Sequence, residues 1–200
     1  MLCTASQRFL CLIHGCVNIA ICQHRSKVRR EYTLRELQKL SECFHIRRLS
    51  ECDAQAIFNL YRSNPQYFEA MHDTPTLSSA KADLAALPPN KTYDDKYYLG
   101  FYDHNALIAV MDLILRFPNE QTVFVGLFMV DQAHQRKGIG SLIVSQALDY
   151  LKKQSFSACR LGYVQTNPQS RSFWTKNGFQ PTGVLSKHEN YTVVFMEKRL

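Results

Sequence analysis

At 200 residues, with 46% hydrophobic and 12% aromatic content, the chain has the size and make-up of one globular domain that buries its own core without disulfides or a structural metal. Its formal net charge of +7 is unevenly spread. Residues 1–42 hold 7 Lys/Arg against 3 Asp/Glu, and the remaining residues hold 17 against 14, a mixed surface that argues against nucleic acid as the partner.

The first 42 residues read as an N-terminal extension, poorly ordered to about residue 31 and followed by a short helix. The apolar run 9–22 is only 14 residues long and is broken by His14 and Asn18, too short to span a bilayer, so no membrane partner is expected. Five of the seven cysteines lie within the first 43 residues, in no evenly spaced framework, which fits a reducing, cytoplasmic setting. Cys11, His14, Cys16, Cys22 and His24 include no Cys-x-x-Cys pair, and no metal site is expected.

The domain is expected over residues 43–200. Leu34, Leu37 and Leu40, behind Thr33 as N-cap, predict the short helix. A strand follows over 44–49. Asp53 then caps a helix with Ala56, Ile57, Leu60 and Tyr61 on its apolar face, and Asn64-Pro65 stops it. Helical stretches 66–71 and 76–87 precede Pro88-Pro89. Strands 97–102, 106–117 and 121–130, joined across Asp103-His104-Asn105 and Pro118-Asn119, form an antiparallel meander. A loop over 131–137 leads into a long helix over 138–153, with Leu142, Ile143, Ala147, Leu148 and Leu151 on its buried side. A strand over 159–164, a helix over 167–176 closed by Asn177-Gly178, and a strand over 191–196 complete the chain.

The chemistry concentrates where strand 121–130 gives way to Gln135-Arg136-Lys137-Gly138-Ile139-Gly140 at a helix start. Backbone N–H groups there lack intrahelical partners, and the peptide dipoles favour an anion. Glycines at 138 and 140 let a phosphate approach the backbone, and Arg136 and Lys137 add charge. A dinucleotide fingerprint would need a third glycine where Ile143 stands. A phosphate loop would need Gly-Lys-Ser/Thr where Gly140-Ser141-Leu142 stands.

Gln-x-x-Gly-x-Gly in this setting resembles motif A of the GNAT superfamily of acyl-coenzyme A-dependent N-acetyltransferases. The stretch Asn167-Pro168-Gln169-Ser170-Arg171-Ser172-Phe173-Trp174-Thr175-Lys176-Asn177-Gly178-Phe179 is similar to its motif B. The resemblance implies an α/β fold of the α+β type: a central mixed, mostly antiparallel, twisted sheet of six to seven strands with helices on both faces. It implies that the main chain of Phe128, Met129 and Val130 receives the pantetheine arm of acetyl-CoA as if it were another strand. It implies that Gln135, Arg136, Lys137, Gly138, Ile139, Gly140 and Ser141 receive the pyrophosphate, with Asn167 on the pantetheine, Ser170 also binding the cofactor, Phe173 and Trp174 walling the tunnel, and Lys176 near the adenosine phosphates.

The activity so implied is acetyl transfer to a primary amine, of a small molecule first, by direct attack on the thioester, with an N-terminal or lysine protein acceptor and a non-catalytic acyl-CoA sensor as alternatives. Self-association as a homodimer stays open. The Met129 or Val130 N–H is the expected oxyanion donor. Many relatives carry a tyrosine where Trp174 stands, so the proton for the leaving thiolate is expected from Tyr163 or Tyr191. A thiol of pKa about 8.5 also leaves tolerably without one. Asp112, in an apolar strand, and Glu189 are the candidate bases. Asp112 could instead pair with Arg116, four positions along on the same strand face.

Overall fold

The computed structural model describes residues 34–200. Seven strands form one sheet in the order β1-β2-β3-β4-β5-β7-β6: β1 (His45–Arg48), β2 (Lys96–Asp103), β3 (Ala106–Leu115), β4 (Thr122–Val130), β5 (Ala158–Val164), β6 (Gln180–Lys187) and β7 (Thr192–Arg199). Every pairing is antiparallel except β4 with β5. A parallel pair needs a long crossover, and a helix over Ile139–Lys153 supplies it.

That helix, α5 (Ile139–Lys153), covers one face of the sheet together with α1 (Leu34–Leu37) and α6 (Pro168–Lys176). Leu37 and Leu40 are buried there with Ile143, Ala147, Leu148 and Leu151, and Ser41 Oγ donates to Gln146 Oε1 of α5 at 2.8 Å. Helices α2 (Ala54–Arg62), α3 (Pro65–Glu69) and α4 (Leu77–Ala85) lie against the other face, through Ile57, Leu60, Tyr61, Phe68 and Ala80 on Tyr98, Val110, Leu127 and Met129.

Several local expectations change. Ala56 is exposed and Ala54 takes its place in the core, while Leu142 is 40% exposed and Val144 and Tyr150 are buried instead. Asp53 occupies the N-cap position of α2 without capping it. Its carboxylate turns back to Ser50 N–H at 2.8 Å and to Arg47 at 2.7 Å. Strand β6 has no counterpart among the predicted strands, because its side chains are largely exposed and carry no apolar alternation. The Thr33 cap, the apolar run 9–22 and the Cys/His cluster lie outside the described residues.

Strand β4 is irregular in two ways. Asp112 faces Leu127 and Leu113 faces Val125, so Gly126 is an extra, bulged residue. The β4–β5 register ends at Val125 with Leu161, whereas β5 stays paired to β7 as far as Val164. The two parallel strands therefore part at the bulge, and residues 126–130 present an open edge.

Candidate active site

The open edge of β4 has a definite polarity. Asp131 N–H donates to Ile108 O at 2.8 Å, so antiparallel alternation also aims the polar groups of Met129 at β3. Those of Phe128 and Val130 point the other way, into the gap left by β5. The Met129 N–H, an expected oxyanion donor, therefore faces β3 and not the gap, whereas the Phe128 and Val130 N–H groups face the gap.

Facing this edge is the start of α5. Gly138 is its N-cap at φ 82° with no side-chain cap, and no acidic residue occupies the first turn. Leu142 N–H closes the first turn on Gly138 O at 3.0 Å, which leaves the preceding amides without intrahelical acceptors. Arg136, at φ 59°, adopts a left-handed conformation that costs a non-glycine residue about 1 kcal/mol and curls the loop toward the cleft. A side chain on Gly140 would come within 3.2 Å of Phe173 and 3.4 Å of Val130, so its absence lets helix, strand and α6 meet.

Between these elements lies a cavity of about 380 Å³. Of the residues expected to hold the cofactor, all but Lys137 and Ile139 line it. Phe128 and Phe173 stack at 5.8 Å, Phe173 meets Trp174 edge-on at 4.9 Å, and Trp174 is buried against Phe179. Asn167 caps α6, accepting from Ser170 N–H at 2.9 Å, which leaves its amide N–H₂ free of that bond. Gln135 does not present a free side chain: its Nε2 donates to Val130 O at 2.9 Å and to Asn64 Oδ1 at 2.6 Å.

The profile of the Acetyltransferase (GNAT) family matches residues 54–179. The chain belongs to this family. No curated protein matches it in sequence. Solved structures with this fold include an acetyltransferase from Thermus thermophilus, at 19% identity and TM-score 0.62, aligned over 78% of this chain and 97% of that one. The PaiA N-acetyltransferase of Thermoplasma acidophilum, solved in complex with coenzyme A, is 20% identical with TM-score 0.57 over 78% and 99%. The ribosomal-protein-S18-alanine N-acetyltransferase of Escherichia coli is 15% identical with TM-score 0.59 over 78% and 93%. This GNAT protein is thus an acyltransferase in class. Among the described residues, no helix is long and apolar enough to cross a membrane.

The residues expected to move protons lie elsewhere. Asp112 is fully buried, 2.7 Å from Lys96 Nζ, and lines no part of the cavity. Burial pushes its carboxyl up, against the pull of Lys96. A base walled off in this way cannot reach an incoming amine, and the geometry removes Asp112 from that role. Its partner is also not Arg116, which lies 3.9 Å from Asp95 and 3.7 Å from Glu120. Tyr163 is buried in the core that holds Trp174, and Tyr191 is buried in the opposite core, stacked on His188 at 4.4 Å. Glu189 is exposed in the β6–β7 turn. None of the four lines the cavity.

The wall nearest α2 and α3 carries no signal in the sequence. Ser63, Asn64, Pro65, Gln66 and Tyr67 form it, with Gln132, Gln169 and Ser172 at the rim. Tyr67 is the one tyrosine among the cavity-lining residues, its ring edge-on to Phe68 at 5.2 Å. Burial, then the nearby Asp83, Tyr191 and Asp73, push its phenol well above the ordinary tyrosine range, so it stays protonated. Asn64-Pro65 in the sequence signals only the end of a helix.

Proposed function

We propose that the protein is an N-acetyltransferase that moves the acetyl group of acetyl-CoA to the primary amine of a small molecule. The observation that carries this reading is the unpaired edge of β4, residues 126–130, opposite the uncapped start of α5 across one cavity. A strand edge without a partner strand suits the amides of a pantetheine arm. A helix start without acidic residues, flanked by Arg136 and Lys176, suits a pyrophosphate. A cavity of about 380 Å³ lies within the range of small-molecule pockets.

In this reading the amine nitrogen attacks the thioester carbon, and the carbonyl oxygen takes the electron pair. The Phe128 or Val130 N–H, aimed into the gap, stabilises that oxygen. Collapse breaks the carbon–sulfur bond and releases a thiolate, which at a thiol pKa of about 8.5 leaves without an obligatory acid. The amine proton passes to water in the cleft, since neither Asp112 nor Glu189 borders it. The wall of Ser63, Asn64, Gln66 and Tyr67 brings no formal charge to the acceptor. Free thiols on Cys43, Cys52 and Cys159 suit a reducing, cytoplasmic setting.

Calorimetry with coenzyme A, followed by thiol release from acetyl-CoA across a panel of small amines and N-terminal peptides, tests the proposal. Heat of binding with turnover on small amines is expected. Turnover on peptides alone would move the acceptor to proteins, binding without turnover on anything would make the protein a sensor, and a folded protein that gives no heat would end the coenzyme A reading.

A further inference from the structure

Where β4 loses β5, the outward carbonyl of Val130 loses its ladder partner, and a polar group left unpaired there is costly. Two side-chain amides supply the donors: Gln135 Nε2 at 2.9 Å and Asn64 Nδ2 at 3.2 Å. The same two amides are joined to each other, Gln135 Nε2 to Asn64 Oδ1 at 2.6 Å. Asn64 Nδ2 also lies 3.0 Å from Leu60 O in the last turn of α2, one of the carbonyls a helix end leaves open. From the opposite wall, Gln169 Nε2 of α6 donates to Gln135 Oε1 at 3.3 Å. One residue before Asn64 in the chain, Ser63 Oγ accepts from Gln132 N–H at 3.2 Å. The α2–α3 corner, the end of β4, the loop before α5 and the start of α6 therefore meet at a single pair of amides, although Asn64 and Gln135 stand 71 positions apart.

We propose that Asn64 is a positioning residue that couples the two halves of the cleft, transmitting occupancy of the loop at Gln135 to the α2–α3 corner that carries Tyr67. The proposal rests on the coenzyme A reading above. A ligand held by the amides at the start of α5 immobilises Gln135. Gln135 in turn holds Asn64, and Asn64 sets the wall the acceptor meets. No contact between Asn64 and the reacting atoms is required.

Hydrogen exchange on the full chain, with and without saturating coenzyme A, tests this without depending on turnover. In the wild-type protein coenzyme A should slow exchange by roughly fivefold or more both at residues 135–142 and at residues 64–71. In Asn64→Ala the first segment should still be slowed and the second should change by less than about twofold. Gln135→Ala cuts the same link from the other side and should leave 64–71 unprotected while 136–142 is still slowed by coenzyme A, so it carries the test if Asn64→Ala does not fold. Steady-state kinetics should show a raised acceptor KM in Asn64→Ala with the acetyl-CoA KM little changed. Equal protection of 64–71 in wild type and both variants would overturn the proposal, as would wild-type protection confined to 135–142. Absence of any binding heat with the wild type is a different failure, which removes the coenzyme A reading itself.

Discussion

Asp112→Asn tests the buried ion pair between Asp112 and Lys96. The substitution keeps the shape that packs against Gly126, where an added Cβ would lie 2.7 Å from Asp112 Oδ2. It removes the charge that faces Lys96, itself only 2% exposed. Breaking one side of a buried pair typically costs about 3–5 kcal/mol, because the remaining charge has no partner. Urea unfolding followed by circular dichroism should therefore show a loss of about 3–5 kcal/mol at pH 7, a midpoint shift of roughly 2 M for a slope near 2 kcal/mol/M. Adding Lys96→Met removes the stranded charge and should recover more than about half of the loss at pH 7. A single variant that loses less than about 1 kcal/mol, or a double variant no more stable than the single, would refute the reasoning.

Other outcomes follow from the same geometry. Gly138→Ala meets no atom within 4 Å but places a Cβ at φ 82°, so it should cost about 1 kcal/mol in thermal unfolding and weaken coenzyme A in calorimetry by about tenfold or more. Asp53 is held below the usual carboxylate range, first by its hydrogen bond from Arg47. Its contribution is therefore present above the unfolded carboxylate value and is lost as pH falls through the lower folded one. The stability difference between wild type and Arg47→Ala, on the order of 1 kcal/mol or less at pH 6, should shrink as the pH falls below the ordinary carboxylate range. Burial pushes the Cys159 thiol up to about 12, whereas Cys43 and Cys52 are exposed. Alkylation of the native protein at pH 8, mapped by mass spectrometry, should mark Cys43 and Cys52 and spare Cys159 until the chain unfolds.

Much of the cleft wall around the start of α5 and α6 was legible in the sequence because its signals are local. Gly138 and Gly140 at a helix start, and Asn167 three residues before Ser170, act through backbone groups only a few positions away. Such spacing survives in a linear reading. The proton-transfer residues were misplaced for the opposite reason. An aspartate between Met111 and Leu113 can be read as partly desolvated, but which cation meets it is decided across the β2–β3 hairpin. The same holds for tyrosines: Tyr163 and Tyr191 lie in or beside strands near the gap, yet packing turns both into cores, while Tyr67 arrives from a helix that carries no motif.

By itself the sequence determined the Asn177-Gly178 close of α6, the glycine-bearing loop at the start of α5, the order of most elements and, through the two motif segments, the family. Only the tertiary structure decided where β4 and β5 part, that Lys96 answers Asp112, that β6 closes the far edge of the sheet, and that Asn64 reaches Gln135. The division follows from range. Caps and helix-start amides are satisfied within about four residues, whereas ion pairs, strand edges and bridging amides take their partners from whatever the packed fold brings beside them.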